Sequence, residues 1–138
     1  MYETSPQAEA RDEMQECIEE CLDCRRTCFQ TAMDYCLEMG GEHIAPEHFR
    51  LLMNCGEICQ TAADFMISKS PLHVGVCDVC AEVCDACAES CEEIGNMDEC
   101  IQACESCAES CRQMTGSFES LSSRPPTGQD RAAAPPAS

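Results

Sequence analysis

The small apolar positions of this chain recur at steps of three and four, and most of them are cysteine. Cys17, Cys21, Cys24 and Cys28 are separated by 4, 3 and 4. Cys77, Cys80, Cys84, Cys87 and Cys91 follow at 3, 4, 3 and 4, and Cys100, Cys104, Cys107 and Cys111 at 4, 3 and 4. Such steps gather each set on one stripe of an α-helix. They form the a/d pattern of a bundle seam, with Cys where Leu is usual. The intervening residues are largely Glu, Asp, Ser, Ala and Gln, which suit an exposed face. A sparser stripe, His48, Leu52, Cys55, Cys59, Ala62 and Met66, steps by 4, 3, 4, 3 and 4. Cys36 lies two four-residue steps beyond Cys28. No segment alternates as a strand would.

Helix punctuation divides the same stripes into four rods. Thr4 or Ser5 caps a helix with Pro6 in its first turn, running over 6–39 to the stop at Gly40 and Gly41. Pro46 opens a second helix over about 46–68. Ser70 and Pro71 open a third over 71–94, which Gly95 ends. Asn96 is the expected cap of a fourth over 97–114, with Asp98 and Glu99 at its positive end and Gly116 as its stop. The connections are short, so neighbours run antiparallel. The fold class is therefore all-α: an up-down-up-down four-helix bundle over 1–116 with a cysteine-lined core. Residues 117–138, rich in Ser, Pro and Ala, are expected to be a disordered tail.

Composition narrows the chemistry. Of 138 residues, 16 are Cys, while Trp is absent and only two Tyr and four Phe occur. A conventional core would be thin, so cysteine must pack as a small hydrophobe or a ligand must stiffen the fold. The net charge of −18 makes nucleic acid and anionic membrane poor partners. No apolar run approaches the ~20 residues of a membrane span. The first residues, MYETSPQAEARDEMQE, carry no basic-then-apolar signal, so the expected location is the cytoplasm. Thiols there are kept reduced, which turns the cysteines toward metal binding rather than disulfides.

A column of thiols inside a bundle favours a soft monovalent cation. Bare thiolates repel one another in a low-dielectric core, and one Cu(I) per thiolate balances the charge. Structural zinc and iron–sulfur sites usually draw ligands from turns and loops, whereas the Cys-x-x-Cys pairs here lie inside helices. Zinc held between helices remains an alternative, as in a metallothionein-like buffer. A thiol redox sensor is the other rival, with Arg25 and Arg26 beside Cys24 and Cys28. No Glu-x-x-His pairs of a di-iron bundle and no hydrolase motif occur, so an enzyme is not expected.

Antiparallel threading gives the column two ends. Met14, Met66, His73 and Met114 collect at one, and Cys36, Met39, His48, Cys91, Met97 and Cys100 at the other. Thioether and neutral imidazole both bind copper, so His48, His73 and Met97 join the cysteines as candidate ligands. The alternative for each Met is a flexible plug in the core. His43, in a loop, reads as surface or ligand.

Cysteine stripes on four short-looped helices resemble the bacterial copper storage proteins, and among them the cytosolic branch. The resemblance runs from about Thr4 to Met114. It implies storage of many Cu(I) ions in the core, loading through one bundle end bearing His or Met, and a homotetramer. It also implies copper ions as the cargo, delivered by a copper chaperone or a small thiol donor. Carried over by position, the ligands are Cys17, Cys21, Cys24, Cys28, Cys36, Cys55, Cys59, Cys77, Cys80, Cys84, Cys87, Cys91, Cys100, Cys104, Cys107 and Cys111. The second helix, with two cysteines only, departs from the pattern and should make the column lopsided.

Overall fold

The computed structural model describes residues 6–121, with side chains described over 12–115. Every element among the described residues is helical. Helix α1 spans Pro6–Gln30, a π-helical segment spans Thr31–Cys36, and α2, Leu37–Met39, completes the first rod. A 3₁₀ turn, Gly41–Ile44, leads to α3, Pro46–Ile67. Helix α4 covers His73–Ile94 and α5 covers Asp98–Leu121. Each long helix packs against two others: α1 and α4 each neighbour both α3 and α5. This closes a four-rod ring around one axis, the bundle expected from the stripes.

The π segment explains how the first stripe reaches Cys36. Eight residues beyond Cys28, a regular helix would carry Cys36 about 80° off the stripe. One extra residue in the turn resets the register to within about 20°. The Leu37 N–H accordingly donates to the Ala32 carbonyl, five residues back. Ala32 and Cys36 are thereby fully buried, while Met33 stays exposed.

The helix ends differ in detail from the sequence reading. Gly40 sits at φ +68° and ψ −159°, a conformation open essentially to glycine, and turns the chain back. Asn96 does not cap α5. It adopts the left-handed conformation at φ +61°, and the Met97 carbonyl receives the Ile101 N–H at 3.0 Å. Helix α5 runs through Gly116 to Leu121, so the glycine is no stop. Of the expected tail, 122–138 lie outside the described residues.

All 16 cysteines are buried, and among non-cysteine residues the core holds chiefly alanines with Ile18, Leu52, Met66, Met97 and Met114. Small side chains let the rods approach closely. At Gly56 on α3 an added Cβ would fall 2.4 Å from two carbons of the Phe29 ring. Arg25 covers that ring at 3.9 Å, so Phe29 is wedged between α3 and a guanidinium.

Candidate metal centre

The four stripes turn their sulfurs onto the bundle axis, where they touch in an unbroken chain. At one end Cys17 and Cys21 both approach Cys111 at 3.8 Å, and Cys107 lies 3.6 Å from Cys21. Cys59 meets Cys80, Cys84 and Cys107 at 3.7 Å each. Cys55 meets Cys84 at 3.6 Å, Cys104 at 3.7 Å and Cys24 at 3.8 Å. The chain continues through Cys28 to Cys100 at 3.7 Å, and from Cys100 to Cys91 at 3.7 Å. These are S–H···S hydrogen bonds between free thiols. Helix α3, the sparse one, supplies central members: Cys55 and Cys59 reach across the axis to α5 as well as to their neighbours.

Among the described residues at least five four-cysteine groups result, each with all sulfurs within 4.8 Å of one another. Three of them, Cys21–Cys80–Cys107–Cys111, Cys24–Cys55–Cys59–Cys84 and Cys28–Cys87–Cys100–Cys104, share no residue. Close thiols cannot titrate independently. Cys24 is held below the ordinary thiol range by the hydrogen bonds it shares, that with Cys104 foremost. Cys104 is pushed up by its bonds with Cys100, then Cys24. One thiolate in such a group is cradled by its neighbours' S–H groups, and the next proton is much harder to remove. A cation that replaces those protons removes the conflict.

The two ends of the column differ in chemistry. One is closed by apolar groups: Ile18, Met66 and Met114 are buried and Met14 half-buried. His73, expected to join this end as a ligand, does not face the sulfurs. Its Nδ1 lies 2.8 Å from the Ser70 carbonyl in the turn before α4, and no thiol of the described residues is within hydrogen-bonding reach. The α4 helix begins at His73 itself, so its side chain serves that turn.

At the other end Cys36 lies 3.9 Å from His43 Nδ1, 4.0 Å from His48 Nε2 and 3.8 Å from Met97 Sδ. His48 and Met97 are thus where the stripe placed them. Met39, on the same rod, is 55% exposed and takes no part. His43 is the residue the sequence undervalued. The two glycines reverse the chain so that a loop residue faces back into the bundle, where His43 is 9% exposed and packs edge-on against Tyr35. Burial pushes the Cys36 thiol up to about 11 and pulls the His48 imidazole down, which keeps it neutral.

Residues 10–116 match the family model described as copper storage protein, Csp. This chain belongs to the copper storage protein family. Among solved structures it is similar to Nmul_A1745 from Nitrosospira multiformis, 53% identical with a TM-score of 0.75 over 77% of this chain and 97% of that one. The Cu(I)-bound copper storage protein BsCsp3 is 34% identical at TM-score 0.70, over 75% of this chain and 98% of that one. Apo-Csp3 from Bacillus subtilis is 35% identical at TM-score 0.67, over 73% and 97%. A cysteine-rich protein of Bacillus subtilis (strain 168), YhjQ, is 35% identical over 66 residues, 48% of this chain. That match spans 60% of YhjQ. Copper is therefore the metal against which this Csp's column is to be read.

Proposed function

We infer that this Csp is a non-catalytic store for Cu(I), with its 16 cysteines as thiolate ligands and Cys36, His48 and Met97 at the loading end. The observation that carries the reading is the continuous run of sulfur contacts at 3.6–3.9 Å from Cys17 to Cys91. Each Cu(I) displaces a thiol proton and takes two or more sulfurs, so charge along the axis stays near balance. Family membership and likeness to a Cu(I)-bound relative support the same reading. The polar end with Cys36 is the natural mouth, since the opposite end is plugged by Met66 and Met114.

Free thiols without disulfides suit a reducing compartment, hence a cytoplasmic location with copper received from a chaperone or a small thiol. No helix of the described residues is long and apolar enough to cross a membrane. A homotetramer is the assembly expected from family membership.

One observation favours a second reading, a zinc buffer. Five of the six edges of Cys59–Cys80–Cys84–Cys107 measure 3.7–3.9 Å. A tetrahedron with zinc–sulfur bonds of about 2.3 Å has edges of about 3.8 Å. Anaerobic titration of the reduced protein with Cu(I), against a chromophoric Cu(I) chelator and with Zn(II) present, separates the two. A store withholds roughly one Cu(I) per cysteine and releases the zinc. Retention of about three Zn(II), with copper lost to the chelator, would establish the buffer instead.

A further inference from the structure

We propose that Cys36, His43, His48 and Met97 form a copper site of their own, with the ligand set of a blue-copper centre, which holds its ion as Cu(II) as well as Cu(I). The proposal rests on the reading that copper is the cargo; it concerns the end of the column, where Cys36 meets imidazole and thioether groups.

The donor set is the first argument. One thiolate, two imidazoles and one thioether are the ligands by which proteins build trigonal copper sites with a weak axial methionine. Four segments bring them together here: Cys36 from the π segment, His43 from the 3₁₀ turn, His48 from the first turns of α3, and Met97 from the turn before α5. All four side chains are at most 9% exposed.

Geometry is the second. With metal–sulfur bonds of about 2.3 Å and metal–nitrogen bonds of about 2.0 Å, a trigonal site sets sulfur and nitrogen ~3.7 Å apart. The Cys36 sulfur stands 3.9 Å from His43 Nδ1 and 4.0 Å from His48 Nε2 without any metal to draw them in. Met97 Sδ, at 3.8 Å, supplies the thioether. The imidazoles are also oriented from behind. His48 Nδ1 lies 2.8 Å from the Ser90 hydroxyl, which directs Nε2 toward Cys36, and the His43 ring stands at 84° to Tyr35.

The third argument concerns what protects the oxidised ion. In the column, Cu(II) would meet paired thiolates. Two Cu(II) would take one electron from each of two thiolates, giving two Cu(I) and a disulfide. The contacts of Cys36 are instead two imidazoles and a thioether, none of which can close a disulfide with it. Oxidation of copper at this site removes one electron and breaks no ligand bond. The Cys36 proton has already left to solvent when the metal bound.

The test uses the full chain, loaded anaerobically with Cu(I) to saturation and then treated with hexacyanoferrate(III), about one equivalent per chain, as electron acceptor. The expected result is an intense thiolate-to-Cu(II) charge-transfer colour and an EPR signal with compressed copper hyperfine splitting, integrating to about one Cu(II) per chain. Cys36→Ser should abolish both. Met97→Leu should keep the colour and raise the reduction potential, because it removes only the axial donor. Thiol loss to disulfide without colour would overturn the proposal. So would an EPR signal of ordinary tetragonal type, or colour that survives Cys36→Ser. The copper-to-protein ratio after loading reads the storage function separately. High capacity without colour sinks this site and leaves storage standing; no bound copper sinks both.

Discussion

A cysteine at a seam position brings two properties that a leucine lacks, a short side chain and an acid proton. Cys36 shows the second most plainly, because it stands apart from the mutually coupled thiol groups. Its folded value of about 11 lies above the ordinary 9.0, with burial the leading cause. Between those two values the folded chain binds more protons than the unfolded one, so stability falls as pH rises. The reduced apo protein is therefore expected to lose stability between pH 9.0 and about 11, with this residue contributing at most about 1.4 kcal/mol per pH unit. Urea denaturation at both ends of that interval measures it. Cys36→Ala should lose less over the interval than the parent; an identical slope would remove Cys36 as a cause. Copper bound at the same atom would reverse the sign: the metal must displace the proton, so its hold would strengthen with pH up to about 11.

At the scale of elements, two local features decide how the rods fit. The π segment accommodates one residue more than a regular helix needs between Cys28 and Cys36. Deletion of exposed Met33 should convert the two steps of four into four and three. The helix then continues regularly with its thiol still inward. Melting temperature should be kept or raised, whereas a pronounced drop would mean the π turn is required by its surroundings. Gly56 is the opposite case, a site with no space to spare. Alanine there gains about 1 kcal/mol of helix propensity, but overpacking costs ~1–3 kcal/mol, and a Cβ 2.4 Å from two ring carbons puts this site at the costly end. Gly56→Ala is expected to destabilise by about 2 kcal/mol on balance, as read by thermal melting. Phe29→Leu in the same chain should relieve it. The sequence made the stripes legible because thirteen cysteines on α1, α4 and α5 hold one period without exception. It hid the π turn, since a step of four and four is compatible with a helix until the drift is counted. His43 was obscured for another reason: a loop residue has no period, and only the turn at Gly40 aims it inward. Gly116 misled because one glycine costs a helix only about 1 kcal/mol, too little to end one by itself.

For the whole molecule, the charge of −18 surrounds a core whose thiols are neutral or anionic, so self-repulsion opposes compaction. Few basic groups offset it; Arg112 pairs with Asp85 and Arg26 with Asp23, both on exposed surface. Salt that brings the Debye length to about 10 Å should raise apo stability by about 1 kcal/mol, a few degrees in melting temperature. Melting scans across sodium chloride concentrations check this, and a flat or falling trend would show that surface repulsion is minor. Copper loading should diminish the effect only if thiolates contribute to it. The methionine plug at one end and the Cys36 end at the other give the column a direction. A tube served from one side keeps its contents in order of arrival. If copper enters only at the Cys36 end, ions taken up early would lie deep, near Cys17 and Cys111, and those taken up late near Cys36. Withdrawal then runs in reverse, last in and first out. A chain filled half with one copper isotope and then half with another would surrender the second isotope first.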